Sequence, residues 1–125
     1  MRHRKSSKRM GRSTAHRLAL KRNLVRSLFL SYNESGYIMT TVEKAKFVKP
    51  FAEKLITLAK NKTLHNYRRG LELLADEDAV NTLFDDIGPA YRERPGGYTR
   101  IVRRADKRLG DKTTLALFAF VREGA

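Results

Sequence analysis

Thr113–Arg122, TTLALFAFVR, is the stretch that decides the fold. A strand with water on one side alternates apolar and polar residues. Here Leu115, Leu117, Phe118, Phe120 and Val121 put apolar side chains on both faces. That pattern predicts the central, most buried strand of a sheet. Upstream, Tyr98–Arg104 reads as a second strand, reached through a polar turn at Lys107–Lys112. Arg92–Gly97 is a loop feeding it. Tyr37–Thr41, YIMTT, is short and rich in β-formers, and reads as a third strand.

The rest of the chain repeats apolar residues at helical spacing. Ser13 or Thr14 is the N-cap of a helix from about Ala15 to Ser31. Its core stripe is Leu18, Val25, Leu28, Phe29 and Tyr32, with Ala15 at the start. Asn33–Gly36 ends it. Thr40 and Glu43 form a capping-box pattern for a second helix, Val42 to Asn61. Its inward positions are Ala45, Val48, Ala52, Leu55, Ile56 and Ala59, and Pro50 should kink it. Leu64–Leu74 reads as a third helix. Asp78–Ile87 reads as a short fourth, capped by Asp76 or Asp78 and stopped by Gly88-Pro89. Helices on one face of a small sheet give an α+β fold in two layers. The expectation is three to four helices on a mixed sheet of about three strands, as one globular domain over residues 14–125, with a basic tail at 1–13.

Charge is the second signal. The chain carries 27 Lys+Arg against 13 Asp+Glu, a formal net charge of +14. Self-repulsion of that size points to a polyanionic partner. The excess is uneven: residues 1–33 hold ten Lys/Arg and no acid. The opening MRHRKSSKRMGRS has almost no apolar residue and cannot build a core, so alone in water it should be disordered. Short runs of this kind are commonly solvated tails. This one is long, purely basic, and leads into a helix whose Arg17, Lys21, Arg22 and Arg26 lie off the core stripe. Tail and helix face therefore read as one phosphate-binding surface. The acids Glu72, Asp76, Glu77, Asp78, Asp85 and Asp86 crowd elsewhere and should face away from the nucleic acid or toward a basic partner.

A second basic surface runs through the loop and hairpin: Arg92, Arg94, Gly96, Gly97, Tyr98, Arg100, Arg103, Arg104, Lys107 and Arg108. Gly96-Gly97 permits close backbone approach or a positive-φ turn. A plain loop entering a strand, edged by solvated arginines, is the alternative reading of the same residues. His3, His16 and His65 lack the spacing of a metal site, and the first two stand among cations, which disfavours a protonated catalytic histidine. Tyr32, Phe47 and Phe51 fit core positions better than base-stacking ones. No nucleophile elbow, phosphate loop or dinucleotide fingerprint occurs. The chain has no cysteine, so disulfides and thiolate zinc sites are excluded. No run nears the length of a spanning helix, and no lipidation or secretory signal is evident. An Arg- and Ser-rich start also suits an organellar transit peptide, but this one enters a core-forming helix without a spacer, which favours a cytosolic protein. A non-enzymatic nucleic-acid binder is expected, with no cofactor, small-molecule substrate or membrane partner.

These residues also resemble a known family. Met1-Arg2-His3-Arg4-Lys5-Ser6, Ser13-Thr14-Ala15-His16-Arg17, Arg22-Asn23, Thr40-Thr41-Val42 with Lys44-Ala45-Lys46, and Leu55–Lys60 carry the likeness. So do Leu83-Phe84, Ile87-Gly88-Pro89 and, above all, Gly96-Gly97-Tyr98-Thr99-Arg100-Ile101. Taken in order, they resemble ribosomal protein seventeen of the bacterial large subunit over nearly the whole chain. Glu43 departs from the proline common there. The resemblance implies a structural protein on large-subunit ribosomal RNA, with ribosomal-protein neighbours near the exit-tunnel side; a bacterial rather than organellar setting is expected because no separate targeting segment is evident. A non-ribosomal RNA- or DNA-binding architectural protein is the alternative. Charge and resemblance together assign RNA contact to Arg2, His3, Arg4, Lys5, Lys8, Arg9, Arg12, His16, Arg17, Lys21, Arg22, Lys44, Lys46, Arg94, Gly96, Gly97, Tyr98 and Arg100.

Overall fold

The computed structural model describes residues 13–107, 110 and 113–122. Helix α1 (Thr14–Leu30) leads to strand β1 (Tyr37–Thr41), and β1 passes directly into α2 (Val42–Ala59). Then come α3 (Leu64–Leu74), α4 (Glu77–Thr82), a π-helical turn (Leu83–Ile87) and a last helical turn, α5 (Gly88–Ala90). A loop leads to the hairpin of β2 (Thr99–Lys107) and β3 (Thr114–Phe120). The sheet order is β1-β3-β2, so the 113–122 stretch does supply the central strand. Both pairings are antiparallel, not mixed. The chain leaves β1 into helices and returns to the sheet by a hairpin, so nothing forces a parallel neighbour.

The two faces of β3 differ more than its sequence suggests. Ala116, Phe118 and Phe120 are buried against the helices, while Leu115, Leu117 and Ala119 are half-buried on the far side. The helical layer centres on α2, whose Ala45, Val48, Ala52, Leu55, Ile56 and Ala59 all enter the core as the spacing predicts. From α1, Val25, Leu28 and Phe29 join them; Phe29 stacks toward Phe120 at 6.3 Å and Tyr32 meets Phe120 edge-on at 5.0 Å. Leu18 and Ala15 do not join. Leu18 is 41% exposed, because the first turns of α1 stand off the core.

Two local readings change, at Thr40 and at Gly88-Pro89. Thr41, not Thr40, caps α2: its hydroxyl accepts the Lys44 N–H at 3.3 Å, while Thr40 is held in the strand opposite Ala116. Glu43 then lies in the first turn, where its charge complements the helix dipole. Helix α2 continues through Pro50, whose ring is on the exposed side, where an unpaired carbonyl can meet water. Asp76 is the cap of α4, accepting the Ala79 N–H at 3.2 Å. Finally, Gly88-Pro89 does not end the helix. A Cβ on residue 88 would lie 2.4 Å from the Ala59 carbonyl oxygen, so this glycine lets the helical segment cross α2 at backbone distance. The widened turn at Leu83–Ile87 shifts the hydrogen-bond ladder just where Pro89 has no N–H to give.

Candidate nucleic-acid interface

The tail residues Arg2, His3, Arg4, Lys5, Lys8, Arg9 and Arg12 lie outside the described residues. The described part of the candidate surface starts at Ser13, whose hydroxyl accepts the His16 N–H at 3.2 Å and caps α1. His16 is exposed and Arg17 half-buried on the first turns, and Arg17 donates to the Thr14 hydroxyl at 3.1 Å. One turn on, the Lys21 ammonium lies 4.9 Å from the centre of the Phe47 ring. That contact brings the α1 cations beside α2, which also carries half-buried Lys44 and exposed Lys46.

The next two α1 arginines have another task. Arg22 donates to the Leu73 carbonyl at 2.9 Å and to Glu72 O at 3.3 Å, and Arg26 donates to Leu74 O at 2.6 Å. Helix ends leave carbonyls without intrahelical partners and carry partial negative charge. Helix α3 ends on Ala75 in the left-handed region, at φ 54°, where glycine is the usual residue. The two guanidinium groups satisfy the carbonyls there. Arg22 thus joins α1 to α3 while adding to the local positive field. Sequence alone gave no signal of this, since the pairs are about 50 residues apart.

The loop surface is anchored from beneath. Lys60 donates to the Arg94 carbonyl, and its ammonium lies 4.8 Å from the Tyr98 ring centre. Tyr98 is only 1% exposed; its hydroxyl is 3.0 Å from that of Thr57 and its ring meets Tyr91 edge-on. Its side chain, expected at the RNA surface, instead seats the loop from beneath. Glu53 accepts from both the backbone N–H and the hydroxyl of Thr99, at 3.0 and 2.8 Å, fixing the start of β2. Between these anchors Gly96 and Gly97 stand clear, with nothing within 4 Å of a Cβ at either, and Gly97 has φ +63°. Arg100 is exposed on the sheet face opposite the helices.

Beside the loop is a cleft of about 510 Å³ between Tyr32, Tyr91, Glu93, Arg94 and Arg122. The Arg122 guanidinium lies 4.6 Å from the Tyr32 ring centre and donates to the Tyr32 carbonyl. Tyr91 donates to Val121 O at 2.6 Å, and burial, then the neighbouring Tyr32, push its phenol up to about 12. Arg122 was not among the residues singled out in the sequence, because it follows the last strand and belongs to no basic run.

Several of the acids crowded between residues 72 and 86 are engaged within the chain. Asp85 pairs with Lys62 at 2.7 Å and, by hydrogen bond and charge, raises the lysine's pKa. Asp86 accepts from Asn33 at 2.9 Å, and Glu72 pairs with Arg69 at 3.0 Å. Among the described residues no group of three or more His, Cys, Asp or Glu could hold a metal ion, and no helix is long and apolar enough to cross a membrane. The sequence profile of the ribosomal protein L17 family matches residues 20–121, nearly the whole chain and every element after the first turns of α1. With the fold and the basic surfaces in place, that match shows that the chain belongs to the ribosomal protein L17 family, structural proteins of the large ribosomal subunit.

Proposed function

We propose that the chain binds large-subunit ribosomal RNA mainly through its acid-free first 33 residues. The observation that carries this reading is the run of ten Lys/Arg and no acid in residues 1–33, continuous with an α1 whose first turns stand off the core. A helix start not needed for packing is available to a partner. Arg2, His3, Arg4, Lys5, Lys8, Arg9 and Arg12 supply phosphate contacts, extended by His16, Arg17 and Lys21 and flanked by Lys44 and Lys46. The mechanism is electrostatic: each cation replaces condensed counterions on the RNA. Arg22 sets the angle of α1 through its bonds to α3.

The open turn at Gly96-Gly97, with Arg94 beside it, forms a second contact. The arginine-lined cleft at Arg94 and Arg122 continues it. Catalysis has no part in this reading. The setting is the ribosome, with ribosomal-protein neighbours near the exit-tunnel side, as the resemblance to the family implies. Sedimentation of a lysate under conditions that separate the subunits tests it. The chain should travel one-to-one with the large subunit. Recovery with DNA, or as free protein, would refute it.

A further inference from the structure

We propose that the outer face of the sheet is a docking surface for a neighbouring protein, one that presents apolar side chains bordered by carboxylates. The strand register lays two rows of side chains across this face. Tyr37, Ala119 and Arg100 form one; Met39, Leu117 and Val102 form the next, with Leu115 opposite Thr41 beyond. The core cluster draws on the other face, through Ile38, Ile101, Phe118 and Phe120. Met39 is 54% exposed, Tyr37 44% and Val102 41%. An antiparallel sheet left open to water carries polar residues outward. This one carries methionine, leucine and valine across all three strands, and apolar patches of that kind mark interaction sites.

The chemistry of the face selects the occupant. Backbone N–H and C=O groups of β3 are engaged on both sides, so a phosphate finds no main-chain donors there. The middle row is aliphatic, and Tyr37 is the sole aromatic ring in the rows, so stacked bases gain little from them. Aliphatic side chains from a protein match them. Arg100, expected from the sequence to meet RNA, borders the patch instead, with the Arg104 guanidinium beyond it against the Met39 sulfur, and no carboxylate stands among the described residues of these rows. An apolar centre with Tyr, Met and Arg is the composition of a protein interface. A second copy would bring the same arginines to the seam, so a different chain with acidic residues at its margin is the match.

The inference rests on the ribosomal reading only for where the partner is found. Its test is photo-crosslinking with the full chain carrying Val102→p-benzoylphenylalanine, in large subunits purified from cells. The expected product is a single protein adduct whose linked peptide carries apolar residues with Asp or Glu close by. Arg100→Glu should lower its yield at least fivefold. Adducts to RNA alone, to a second copy of the chain, or none at all, would overturn the proposal. A Lys46→p-benzoylphenylalanine probe on α2 should instead label RNA, which reports on the RNA reading separately. Absence of the chain from the large subunit would defeat the ribosomal reading; the Val102 probe is then judged by the same criterion in whatever assembly holds the chain.

Discussion

Gly88 and Gly96 look alike in sequence and differ in what surrounds them. Alanine at 88 drives a Cβ against the backbone of Ala59, which cannot swing aside. Gly88→Ala should cost about 1–3 kcal/mol in urea unfolding, the range for overpacking. Gly96→Ala meets nothing and should shift stability by less than about 0.5 kcal/mol. Tyr91 makes a pH-dependent contribution. Its phenol is raised from 10.0 to about 12 in the folded chain, so the native state holds the proton more tightly than the unfolded one. That contribution is complete below pH 10 and is lost as pH rises from 10 toward 12. Tyr91→Phe should flatten the fall in this window. It should also lower stability below it by about 1 kcal/mol, through the lost bond to Val121 O.

Helix α1 behaves as two segments. Its second half enters the core; its first turns, through Ala15 and Leu18, stay exposed. Leu28→Ala should therefore cost about 2–5 kcal/mol, whereas Leu18→Ala should cost less than about 1 kcal/mol, both read from urea midpoints. Periodicity placed both leucines on one stripe, because spacing reports which face a residue occupies and not whether anything packs against it. The strands were legible for a sounder reason: TTLALFAFVR and YIMTT each leave one pairing role open, and the register realises both. The reading of Gly88-Pro89 as a stop failed because the same residues permit a close helix crossing, and only the position of Ala59 separates the two outcomes. The capping box failed by one residue: Thr40 and Thr41 both lie in the strand, and Thr41, next to the first helical residue, is the one whose hydroxyl reaches the Lys44 N–H.

Across the whole molecule, the basic character was legible and the division of labour was not. The count of Lys and Arg pointed to a polyanion partner. It could not show that Arg22 and Arg26 end in the carbonyls of α3, that Tyr98 lies in the core, or that Arg122 joins the cleft beside Arg94. Those are relations between residues far apart in the chain. What stands out from the rest is the acid-free opening, whose positive charge no carboxylate nearby in the sequence offsets. If it holds RNA, its cations displace counterions, and affinity must fall with salt by roughly 0.7–0.9 log units per decade for each phosphate neutralised. The deciding measurement is the affinity for large-subunit ribosomal RNA across a salt series, for the full chain and for a variant lacking residues 2–12. The full chain should show a steep negative slope, and the shortened one a weaker affinity and a shallower slope. Equal slopes and affinities for the two, or an affinity indifferent to salt, would contradict the assignment of the RNA grip to the N-terminus.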